Sequence, residues 1–170
     1  MHVFAYTDAV PEEPVFVSLP SGIAHPSETY ARAFLGLVRA GEELERRLDA
    51  DLRRAHGIGL RAYEVLLHLA AFASDRQLPM TTLTRQAPLS QSRVSRLVSD
   101  LEARGLVLRT GDERDSRAVV VSLTDEGMRV LRRAQETHHR GLERRLFSRL
   151  SRDELVRLAD LTERVLADDE

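Results

Sequence analysis

The chain has 170 residues, 25 of them arginine, with no lysine and no cysteine. It is long enough to bury a core unaided and unable to form a disulfide, a thiolate metal cluster or a thiol redox sensor. A formal net charge of −2 excludes a molecule that is basic throughout, so any affinity for a polyanion has to come from a local patch. The longest apolar run, around residues 65–73, is broken by His68 and falls short of the roughly 20 residues of a membrane helix; no basic-then-apolar leader opens the chain, and a soluble cytoplasmic protein is expected.

Residues 1–26 hold four of the six prolines and two short β-prone pieces, HVFAY and PVFVS. A disordered tail is the first reading of this stretch. The alternative is an arm that packs on a partner subunit through Phe4, Tyr6, Val15 and Phe16. From Ser27, an N-cap residue type, Tyr30, Ala33, Phe34, Leu37, Val38, Leu44, Leu48 and Leu52 recur at helical spacing, which predicts one helix ending at Gly57. A second helix, 60–73, is apolar on most sides, with Arg61, Glu64 and His68 as its polar edge. Pro79 suits the first turn of a third, running to about Gln86.

Pro88 forces a turn and Ser90 caps a helix over 90–104, which stops at Arg104-Gly105. Val94, Leu97, Val98 and Leu101 share one face of it, while Ser92, Ser95, Arg96 and Ser99 lie opposite with Arg93 on the flank. Short hydroxyl side chains let a helix approach a groove floor, and arginines reach guanine edges or phosphates. A solvated helix can show the same face, so that pattern alone does not decide. The following segment does: two β-prone stretches, 106–110 and 118–123, flank the polar loop GDERDSR, a hairpin too short to stand unless it leans on the helices. Its tip places Arg114 where it can enter a minor groove, with the acidic residues pairing inside the loop. Over 79–123 the net charge is +2, which leaves −4 for the rest.

Thr124 caps a long helix to about Leu150, and Ser151-Arg-Asp-Glu154 is a capping box that opens a last helix. These helices and the first make most sense as a dimerisation lobe about a two-fold axis. The fold class is therefore mainly α with a small β-hairpin wing: a winged helix-turn-helix over 58–123, a helical dimerisation region over 27–57 and 124–170, and the N-terminal extension 1–26.

The order of elements resembles the MarR family of bacterial transcriptional regulators over about Ser27 to Leu166. GIGLRAYEVLLHLA, LSQSRVSRLVSDLEARGLVLR and DERDSRAVVVSLTDEG carry the resemblance. The last is the most specific, an Asp, an Arg two later and another Arg three after that, then a strand and Leu-Thr-x-x-Gly. The resemblance implies double-stranded DNA as partner, with Ser92, Arg93, Ser95 and Arg96 in the major groove or on phosphates; Ser99, on the same outer face of the helix, is expected at the DNA with them. It places Arg114 in the minor groove, with Asp112 and Arg117 holding the wing. It further implies a homodimer, commonly a repressor of a pseudo-palindromic operator, released by a small-molecule effector. Arg32, Arg61, Tyr63 and His68 are the residues where an effector pocket is sought. A module that binds protein rather than DNA is the alternative, motivated by the low basic excess.

His138, His139, Glu136 and Glu143 have the residue types of a metal site, but His138 sits in an apolar stripe, where an interface or core histidine fits better. Metal and cofactor are not expected. Serines near arginines lack a general base and no glycine-rich phosphate loop occurs, so the chain does not read as an enzyme.

Overall fold

A computed structural model describes residues 13–71, 76–87, 89–111 and 119–167. They fall into two compact units, residues 1–44 and 45–170, and one long helix passes from the first into the second.

In the N-terminal unit, β1 (Phe16–Ser18) and β2 (Ala24–Pro26) form an antiparallel hairpin with Val17 opposite His25. Gly22 turns the chain at φ +80, a conformation open to glycine at no steric cost. Helix α1 (Glu28–His56) follows directly. Its first free amide, Glu28 N, donates to the Glu13 carboxylate at 3.0 Å, and Ser27 N donates to the Val15 carbonyl at 3.0 Å. The Thr29 hydroxyl, with help from other donors at the helix start, holds the Glu13 carboxyl below its ordinary range. Residues 13–26 are thus tied to the start of α1.

In the second unit, α1 ends at Gly57 with φ +67, behind Arg53, Arg54 and His56, whose side chains suit the negative end of a helix. Helix α2 (Leu60–Ala71) starts only three residues later, and Asp49 of α1 serves as its cap, accepting Leu60 N at 2.8 Å while receiving Arg53 Nε at 2.6 Å. Leu66 and Leu69 are fully buried, so α2 is the centre of the core. Helix α3 (Met80–Gln86) and helix α4 (Gln91–Ala103) form the helix-turn-helix.

The sheet of this unit has three strands. β3 (Gln77–Pro79), β4 (Val107–Gly111) and β5 (Val119–Leu123) are ordered β3-β5-β4 with both pairings antiparallel. Val121, opposite Leu78 on one side and Arg109 on the other, is fully buried. Pro79, expected inside the third helix, instead ends the edge strand β3, where its missing N–H is harmless, and stands at the N-cap position of α3.

Helix α5 (Asp125–Arg145) ends before the expected Leu150; a 3-10 turn, Phe147–Arg149, intervenes before α6 (Arg152–Leu166). The box at the start of α6 closes as its sequence indicates, with Glu154 N donating to Ser151 Oγ at 3.3 Å and Ser151 N to the Glu154 carboxylate at 2.8 Å. Thr124 caps α5 by accepting Gly127 N at 2.9 Å, while its own hydroxyl donates to the Gly105 carbonyl at 2.7 Å. A Cβ on Gly127 would collide with the Leu106 carbonyl oxygen. In Leu-Thr-x-x-Gly the threonine therefore ties α5 to the turn after α4, and the glycine permits the close approach.

α5 also lies hard against α1. A Cβ on Gly141 would come within 2.6 Å of Leu48 Cδ2. Beside this contact the buried Asp51 receives Arg54 at 2.6 Å, Arg145 at 2.7 Å and Arg144 at 3.3 Å. Burial alone would raise the Asp51 pKa; the arginines, Arg145 first, outweigh it and hold the carboxyl below its ordinary value.

Candidate nucleic-acid interface

Helix α4 buries Val94, Val98 and Leu101 and turns Ser92, Arg93, Ser95 and Arg96 to solvent, the division its periodicity requires. Ser90 occupies the N-cap position, although its hydroxyl sits 3.3 Å from that of Ser92 rather than on a backbone amide. On the outer face, Arg96 Nε donates to the Ser92 carbonyl at 3.2 Å, which lays the guanidinium along the helix. These four side chains form one continuous hydroxyl and guanidinium surface.

Ser99 is different. It is half-buried, donates to the Ser95 carbonyl at 3.0 Å and accepts Arg109 Nη1 from β4 at 3.2 Å. Arg109 also grips Glu102, its Nε at 2.7 Å, its Nη2 at 2.5 Å and its backbone N at 3.1 Å from the carboxylate. Arg109 accordingly holds the Glu102 carboxyl below its usual range. Both charges are used internally, and the strand that leads into the wing is fixed to the helix beside it. Periodicity on α4 marks Ser99 as a surface position; the partner that it shares with Glu102 lies on the next strand, and only the pairing of β4 with β5 aims it back.

The far end of α4 is held as well. Arg104, its C-cap residue, donates to the Gly57 carbonyl at 2.9 Å and reaches the His56 carbonyl at 3.5 Å, at the C-terminal end of α1. A guanidinium there complements the negative end of that helix. Helix α4 is thus positioned from the wing side by Arg109 and from the α1 side by Arg104, with its serine and arginine face left outward. Asp112, Arg114 and Arg117, assigned to the wing tip by sequence, lie outside the described residues.

The residues considered for an effector pocket separate. Arg61 and His68 line one cavity with Glu64, Leu83, Gln86 and Leu89, between α2 and the segment around α3. Its volume is about 20 Å³, room for a single water. Arg61 is paired there with Glu64 at 2.9 Å and Glu45 at 2.6 Å, and His68 Nδ1 donates to the Glu64 carbonyl at 2.8 Å. Tyr63 is buried and stacks on His138 of α5, ring centroids 4.7 Å apart. Burial raises the Tyr63 pKa and lowers that of His138, whose Nδ1 has no hydrogen-bond partner. Arg32 belongs to the N-terminal unit, 4.0 Å from Glu28. Among the described residues, no three His, Asp or Glu side chains converge as metal ligands, and no helix is long and apolar enough to cross a membrane.

Known proteins share this arrangement. The MarR family model matches residues 56–118, from the end of α1 to the segment before β5. A MarR family transcriptional regulator of Streptomyces coelicolor, Sco3205, solved in complex with DNA, is 32% identical over 81% of this chain and 85% of its own, with a TM-score of 0.76. The organohalide-sensing regulator RdhR-CbdbA1625, in its 2,4-dichlorophenol-bound form, has the same fold at 20% identity, 81% and 79% coverage and a TM-score of 0.70. An HTH-type transcriptional regulator of Bacillus subtilis (strain 168), YwaE, is 23% identical over 76% of this chain and 73% of its own. Identity of 32% across most of both chains, together with a helix-turn-helix, a wing sheet and flanking long helices in the same order, decides the family. The chain belongs to the MarR family of transcriptional regulators.

Proposed function

We propose that this protein works as a homodimer on a pseudo-palindromic operator, that it represses, and that a small molecule releases it. The observation that carries the reading is the outward face of α4, where Ser92, Arg93, Ser95 and Arg96 stand clear of the core while Arg104 and Arg109 hold the helix from either side. Such a helix reads base edges with its N-terminal residues, and two copies place the pair one DNA turn apart. Arg114 enters the adjacent minor groove, with Asp112 and Arg117 shaping the loop around it. Ser99 acts through Arg109 on the wing as well as at the DNA surface.

For the effector, support comes from the relative solved with 2,4-dichlorophenol and from the α2–α3 cavity lined by Arg61 and His68. At about 20 Å³ that cavity must open before a phenol-sized molecule enters, and parting α2 from α3 would disturb the helix that supports α4. Selection of bound duplexes from fragmented genomic DNA, followed by footprinting, tests the DNA reading. Protection of two half-sites about 10 base pairs apart, centre to centre, is expected. Recovery of no duplex, with a protein partner retained instead, would favour an interaction module.

A further inference from the structure

Among the described residues, the β1–β2 hairpin is built but uncovered. Its strands are three residues long, and a two-stranded hairpin of that size is marginal in water unless another surface packs on it. Phe16 and Val17 point to opposite faces by strand alternation, and both are exposed, Phe16 at 62%. Ile23 in the turn is 64% exposed. Yet the segment is anchored, through Glu13 on the amide of Glu28 and Val15 on that of Ser27, so that hairpin and helix start are one piece. In the same unit α1 exposes Tyr30, Phe34 at 63%, Leu37 and Val38.

We infer that the hairpin is a dimer arm, whose Phe16 and Ile23 bury against the exposed apolar stripe of α1 in a second copy of this chain. This rests on the homodimer reading above. The size of the patch selects a second copy. At roughly 200 Å² for an aromatic residue, Phe16, Tyr30 and Phe34 at their observed exposures present about 340 Å². Ile23, Leu37 and Val38, all exposed, add to this face and bring it to a large part of the roughly 800 Å² that a stable interface takes from each partner. The patch is also self-complementary, an apolar hairpin and an apolar helix stripe on one rigid piece, which a two-fold axis pairs twice over.

The test is sedimentation equilibrium of the full chain and of the Phe16→Ser/Ile23→Ser variant, with circular dichroism to verify the helices. Both residues are exposed in the monomer, so the fold should persist. A dimer dissociation constant raised at least about tenfold, with helicity unchanged, is the expected result. A dimeric wild type with an equally tight variant overturns the arm and leaves the dimer standing, whether residues 2–12, a lipid surface or another protein then covers the hairpin. A wild type that is monomeric at micromolar concentration overturns the homodimer reading itself.

Discussion

Arg109 of β4 and Glu102 of α4 form the joint between the wing sheet and the outward-facing helix, with both guanidinium and backbone N–H groups of the arginine on the same carboxylate. The pair is partly solvated, so its value lies in geometry more than in stability. Replacing Arg109 with alanine should weaken operator binding several-fold while leaving the thermal midpoint nearly unchanged, as judged by fluorescence anisotropy and calorimetry. Glu102→Gln keeps one acceptor oxygen on the same stem and should lose less. Equal loss of stability and affinity in both variants would mean the joint is only part of the fold.

Gly127 has a steric duty. Alanine there meets the Leu106 carbonyl, a backbone atom that cannot swing away. The substitution should destabilise by about 1–3 kcal/mol, the usual cost of overpacking, visible as a lower urea midpoint with an unchanged slope.

Asp51 draws three arginines, of which Arg145 is the least exposed at 18%. Asp51→Asn would leave that half-buried guanidinium without its counter-charge and should cost about 1–3 kcal/mol, below the full cost of breaking a buried pair because Arg145 keeps the Gly141 carbonyl and Arg54 and Arg144 can turn to water. Chemical denaturation at neutral pH measures it.

His138 links acidity to stability. Burial first, and then His139, lowers its pKa from the ordinary 6.5, with Glu64 opposing. The unfolded chain therefore binds the proton more readily than the folded one. Stability should be full above about pH 6.5 and should decline as the pH falls through that value toward the lowered folded one. His56, also lowered by burial and by Arg133 and Arg140, adds to the same slope. His138→Phe, which preserves a ring against Tyr63, should flatten the fall in melting temperature between pH 7 and pH 5 without abolishing it.

Much of this architecture was legible in local pattern. The bounds of α1, the faces of α4, the glycine stop at Gly105 and the Ser151 box all depend on residues within a turn or two of each other. β3 did not show itself, because a three-residue strand ending in Pro79 exists only through its pairing with β5, more than forty residues away. Nor did the hairpin at Phe16, where prolines argued for a tail and the Glu13 cap on α1 supplied the order. At the site, the serines and arginines of α4 announced their face by spacing, whereas Arg109 and Arg104, which hold the helix, required the tertiary fold to bring their acceptors within reach. The stacking of Tyr63 on His138 is likewise absent from local pattern, because it joins α2 to α5 across the fold.

The account turns on α4 presenting its charges to a nucleic-acid backbone and base edges. The most direct measurement is the salt dependence of binding to a selected operator, by anisotropy, for the wild type and for Arg93→Ala/Arg96→Ala. The account predicts that log affinity falls linearly with log salt for the wild type, and that the double variant binds more weakly with a slope shallower by about 2 if both arginines meet phosphate. Salt-insensitive binding, or a double variant that binds as the wild type does, would contradict it.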